Sequence, residues 1–101
     1  MIGVDLHRID VQRLADLCRR RGIRRLALFG SALRGDLRPA SDVDLLVEFQ
    51  PGHAIGLAFF DIQDELTALI GRTVDLNTPA WLSPAFRDEV VREAETLYEA
   101  G

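Results

Sequence analysis

Lysine is absent from the 101 residues, and all positive side-chain charge rests on 12 arginines. That absence excludes a Walker-type phosphate loop, whose lysine reaches the terminal phosphates, and any Schiff-base mechanism. Cysteine occurs once, at Cys18, so no internal disulfide forms. The only histidines, His7 and His53, have no ligand-like spacing, and no zinc site is readable. Aromatics are few, at 7%, and the net charge is −4, which argues against a basic groove that stacks nucleic-acid bases. No apolar run approaches the roughly 18 residues of a membrane span, and no signal peptide is visible. The expected setting is reducing, cytoplasmic and away from membranes.

What is present suffices for one core. Hydrophobic residues make up 48% of the chain, and residues 1–101 read as a single domain. Asp10 caps a helix with Val11, Leu14, Leu17 and Cys18 on one face, stopped by Gly22. Ile23 to Phe29 and Val43 to Phe49 read as strands. Ile55, Phe59, Ile62, Leu66 and Leu69 repeat at helical spacing up to Gly71, and Thr73 to Leu76 is a third strand. Ser83 and Pro84 open a last helix whose buried face is Phe86, Val90, Ala94 and Leu97. The expected architecture is α/β, a small three-stranded mixed sheet packed against about four helices.

The most informative feature is a spacing: Gly30-Ser31, ten residues, then Asp42-Val43-Asp44. In a strand, side chains alternate, so Asp42 and Asp44 point one way while Val43, Leu45, Val47 and Phe49 line the core. Two close carboxylates repel, and a bound Mg²⁺ relieves that conflict through hard oxygen ligands. Gly30 permits close backbone approach, and Ser31 caps a short helical turn through Arg34, whose free amides make an anion site. Each half alone is common. Together they arise by chance in on the order of one chain in a thousand of this length. Asp75, embedded in the third apolar run, joins the same site if its strand lies beside the Asp42–Asp44 strand. An acid there is otherwise costly unless exposed or paired.

These residues resemble a family. From about Leu14 to Tyr98 the chain looks like a minimal nucleotidyltransferase of the DNA polymerase beta superfamily, the small type paired with HEPN-domain toxins. The strongest match runs from Leu28-Phe29-Gly30-Ser31 through Ser41-Asp42-Val43-Asp44-Leu45-Leu46-Val47-Glu48, and Gly71 to Leu76 matches the strand of the third acid. The resemblance implies that Gly30 and Ser31 hold the β- and γ-phosphates of ATP, with Arg34 as a further phosphate contact. It implies that Asp42, Asp44 and Asp75 bind two Mg²⁺ ions, and that Asp75 helps to deprotonate the attacking hydroxyl. The implied activity is transfer of AMP to a tyrosine of a partner toxin. All three acids are in place.

The physical chemistry agrees. Phosphoryl-type transfer needs positioning and charge neutralisation more than a protein nucleophile. A chain this short carries no separate acceptor-binding domain, so a partner protein or a second copy must complete the site. A second reading, from another class, is a non-catalytic antitoxin that masks the toxin; three converging acids argue against it. Nucleotide addition to RNA ends fits poorly with a net negative, aromatic-poor chain. Arg19, Arg20, Arg21, Arg24 and Arg25 form one basic cluster, either a solvated helix end or a contact for an acidic partner or RNA. Leu57, Phe60 and Trp81 fall off the helical stripes and are expected to be partly exposed, which hints at a protein interface.

Overall fold

Asp10 starts the first element by taking up two of the backbone donors that a helix start leaves open. Its carboxylate accepts hydrogen bonds from the amides of Gln12 and Arg13, both at 3.1 Å. The structure, a computed structural model, describes residues 9–30, 42–52 and 56–100. Helix α1, Val11–Arg20, buries Leu14, Leu17 and Cys18. Val11 does not share that face: it is 71% exposed, and the buried stripe begins one turn later, at Leu14. Burial pushes the Cys18 thiol up to about 12, so it stays a neutral packing group.

Strand β1, Ile23–Leu28, runs antiparallel to β2, Val43–Phe49, with Leu28 opposite Leu45 and Leu26 opposite Val47. Helix α2, Ala58–Ile70, follows and ends at Gly71, whose φ of 83° suits only glycine comfortably. Strand β3, Val74–Asn77, pairs parallel with β2, and a 3₁₀ turn spans Pro79–Trp81. Helix α3, Arg87–Glu93, leads into β4, Glu95–Glu99, which pairs antiparallel with β1. The sheet order is β3-β2-β1-β4.

Two expectations need correction here. The sheet has four strands, not three, and the described residues hold three α-helices and one 3₁₀ turn rather than four helices. The helical spacing of Phe86, Val90, Ala94 and Leu97 misled. Ala94 leaves the helix at ψ 138°, Phe86 is 53% exposed just ahead of α3, and Leu97 packs on the core from β4. The second edge of β1 needs hydrogen-bond partners, and the run Thr96-Leu97-Tyr98 is strand-compatible. That tertiary demand outweighs a helical period. The short helix expected at Ser31 to Arg34 lies outside the described residues.

The main core packs α1 and α2 against one face of the sheet, through Leu26, Leu28, Val43, Leu45, Val47, Val74 and Leu76. A smaller cluster, Ala27, Leu46 and Ala94 with Phe29, Leu82 and Val91, occupies the opposite face. Among the described residues no helix is long and apolar enough to cross a membrane.

The basic cluster is largely spent inside the molecule. Arg19 pairs with Asp16, Arg24 with Glu48, and Arg20 and Arg21 both with Glu65. Arg25 is the most buried of them: it bonds Glu48, Thr96 and the carbonyls of Val91 and Ala94, tying the α3–β4 junction to β1. This arrangement favours the solvated, self-paired reading over a surface kept for RNA.

The Arg21 hydrogen bond, 2.8 Å long, is the main cause that holds the Glu65 carboxyl below its ordinary value of 4.5, with Arg20 adding to it. A carboxyl depressed on folding stabilises the fold above its unfolded value, and that contribution fades as pH falls through the folded value. Urea denaturation at stepped pH should therefore show Glu65→Gln losing less stability than wild type on acidification below about 4.5. Parallel curves for the two proteins would remove this role.

Candidate active site

The site lies at one end of the sheet because three chain segments meet there. Strand β1 ends at that end, and β2 and β3 begin there. Val43, Leu45 and Val47 face the main core, as do Val74 and Leu76. Alternation then turns Asp44 and Asp75 to the opposite face. The parallel pairing sets them side by side: Asp44 is the register partner of Asp75. Neighbouring strands lie about 4.8 Å apart, so the two carboxyl groups are within a side chain's reach. One more step of alternation brings exposed Asp42 to the same side. The amide of Val43 donates to the Thr73 carbonyl at 2.8 Å, which fastens the starts of β2 and β3 together between the acids.

Gly30 closes the other side of Asp44. The Phe29 amide donates to the Asp44 carbonyl at 3.1 Å, so the turn after β1 stays beside β2. Gly30 has φ +76°, and a Cβ built there would overlap the Asp44 Oδ2 and stand 3.1 Å from its Cγ. Only a residue without a side chain leaves backbone so close to the carboxylate. Ser31 and Arg34, the other expected phosphate contacts, lie outside the described residues.

The acids are assembled by the backbone, not by side-chain contraction. Among the described residues no three His, Cys, Asp or Glu side chains are gathered tightly enough to hold a metal ion. Carboxylates that share a site repel one another, so a contracted set needs a cation to hold it. The donor chemistry suits a hard divalent ion: carboxylate oxygens throughout, with neither thiolate nor imidazole.

Sequence reasoning missed two residues that shape this end of the sheet. Thr67 Oγ1 accepts from the Val74 amide and Gln63 Oε1 from the Leu76 amide, both at 3.0 Å. These amides flank Asp75. The only signal in the sequence was two polar residues four apart, beside the buried stripe of a helix. A groove of about 380 Å³ between α1 and α2, with Arg13, Arg20 and Glu65 in its walls, is lined by helix residues alone and shares no residue with the acids.

A mixed sheet with acids at the starts of two adjacent strands, facing a glycine turn at the end of a third, defines a nucleotidyltransferase-like α/β fold. The family description "Polymerase beta, Nucleotidyltransferase" matches residues 12–101, and the chain belongs to that family. A protein adenylyltransferase, MntA, from Thermococcus cleftensis is 37% identical over 78 residues, covering 77% of this chain and 78% of that one. A solved structure assigned as a minimal nucleotidyltransferase superposes with a TM-score of 0.74 at 36% identity, covering 93% of this chain and 97% of that one. A toxin–antitoxin crystal structure with AMP-PNP shares the fold, with a TM-score of 0.68 at 22% identity over 90% of this chain and 74% of that one. The chain is thus an enzyme of the nucleotidyltransferase class.

Proposed function

We propose that this chain moves AMP from ATP to a hydroxyl of a partner protein, a tyrosine of a HEPN-family toxin, and so acts as an enzymatic antitoxin. The register of Asp44 against Asp75, with Gly30 backbone closing over Asp44, carries this reading. The adenylyltransferase name of the Thermococcus relative and the toxin–antitoxin assemblies among the structural neighbours support it.

In this reading the 101 residues form one catalytic domain, and Asp42, Asp44 and Asp75 hold two magnesium ions. Magnesium, when bound, supplies positive charge that offsets the phosphates and the charge developing on the attacking and leaving oxygens. Gly30 brings backbone amide to the phosphate tail, with the Ser31 hydroxyl and the Arg34 guanidinium as further donors. Asp75, exposed on the edge strand, takes the proton of the acceptor hydroxyl. The hydroxyl oxygen bonds to the α-phosphorus as the bond to the bridging oxygen breaks, and pyrophosphate leaves with that electron pair.

In this reading a partner protein supplies the acceptor. Leu57, Phe60 and Trp81 are 84%, 59% and 62% exposed, as their position off the helical stripes predicts, and they offer a partner protein an apolar surface. The same surface favours the masking alternative, so the test must separate the two. The chain is incubated with the product of the adjacent gene, α-labelled ATP and Mg²⁺. The expected result is label on a toxin tyrosine, with toxin activity lost only when nucleotide is present. Full inhibition without nucleotide, and no label, would replace catalysis by masking.

A further inference from the structure

Strand β3 carries the third acid, and it is the shortest strand of the sheet. It has four residues, Val74–Asn77, and lies at the edge. Edge strands leave alternate amides without a ladder partner, and the register of a strand with one buried face decides which side chains meet the core. A slip of one residue would turn Asp75 toward the apolar core and bring an apolar side chain to the acid face.

The amides that would be left open are those of Val74 and Leu76, and both are taken up by α2. Thr67 Oγ1 accepts from Val74 and Gln63 Oε1 from Leu76, at 3.0 Å each. The spacing matches. Four residues of helix rise about 6 Å and two residues of strand about 6.6 Å, so oxygens at i and i+4 fall opposite alternate amides of a strand running the other way. The helix thus serves as the missing neighbouring strand, and it reads register one amide either side of Asp75. Its other side chains pin it in turn: Phe59, Ile62 and Leu66 are buried in the main core.

We propose that Thr67 and Gln63 are positioning residues, whose side-chain oxygens fix the register of β3 and so hold Asp75 beside Asp44. The proposal rests on the reading of Asp75 as part of the transfer site. Neither residue touches the reacting atoms. Both act through the backbone of the strand that bears the acid, as supporting groups around a metal site commonly do.

The test uses the full chain in four variants. Thr67→Val keeps the shape and removes the oxygen, Thr67→Ser restores it, Ile62→Val weakens the packing of the same helix but keeps both of its side-chain hydrogen bonds to β3, and Asp75→Asn removes the acid. Amide hydrogen exchange, magnesium binding without nucleotide, and kcat and KM for labelled transfer are measured. Thr67→Val should speed exchange at Val74 and Leu76 well beyond any change in β1. It should weaken magnesium binding and lower kcat, each by about ten- to a hundred-fold, with little change in KM for the acceptor. Thr67→Ser should recover both, and Ile62→Val should show neither. The proposal is overturned if Asp75→Asn loses transfer while Thr67→Val keeps wild-type kcat and magnesium binding. If neither variant affects transfer, the proposal falls together with the role given to Asp75, which marks a failure of the functional reading itself.

Discussion

Asp44→Asn should lower nucleotidyl transfer by about three orders of magnitude while leaving the fold in place. Asp44 is the acid with the most structure built around it. Its carbonyl accepts from Phe29, its register partner is Asp75, and Gly30 lies against its carboxyl group. Asparagine keeps the shape and one oxygen but removes the negative charge, so a divalent ion loses a hard anionic ligand at the centre of the set. The measurement is label transfer at saturating ATP, with the melting temperature recorded for the same preparation. Retention of more than about a tenth of wild-type kcat would mean that the charge is not used in the reaction. In cells, Asp42→Asn combined with Asp44→Asn should abolish protection from the toxin at native expression. Undiminished protection by that double variant would favour masking.

Gly30→Ala is expected to harm both stability and chemistry. At φ +76° a side chain costs about 1–2 kcal/mol from local sterics alone. The added methyl would also meet the Asp44 carboxyl group, which must swing aside. For a domain of this size that corresponds to a melting temperature lower by about 5–15 °C. Transfer should fall by about a hundred-fold or more, because the turn proposed to offer its amides to the phosphates and the carboxyl beside it are displaced together. In a double variant with Asp44→Asn the loss of activity should be far less than the product of the two single effects, since both act on one contact. Fully multiplicative losses would show that Gly30 and Asp44 work separately.

Much of this site is legible in the chain because its logic is local. In β2 the alternation of acids and branched apolar residues sets strand, bounds and facing at once, and the structure gives the strand as Val43–Phe49. Asp75 follows by the same rule. What is not local could not be read. Glu95 to Glu99 has apolar residues that suit a helix or a strand, and only the open edge of β1, some seventy residues earlier, decides between them. Gln63 and Thr67 read as ordinary half-buried helix positions, because their partners are amides, which carry no side-chain signature. Arg25 reads as one more surface cation, yet its donors are spread over α3, β4 and β2. The roles expected of Ser31 and Arg34 rest on the sequence alone.

The pairing of β1 with β4 has a consequence for how the molecule comes into being. Arg25 lies opposite Glu99 and Leu28 opposite Glu95, so a central strand made early must wait for a segment made late. At about 5–20 residues per second, a ribosome needs several seconds to span that interval. Through that time the nascent β1 and β2 can pair only with each other and with β3, and one flank of β1 stands open to any extended peptide nearby. Completion of this sheet is therefore gated by β4, and a companion protein that met the chain sooner would meet an unfinished sheet.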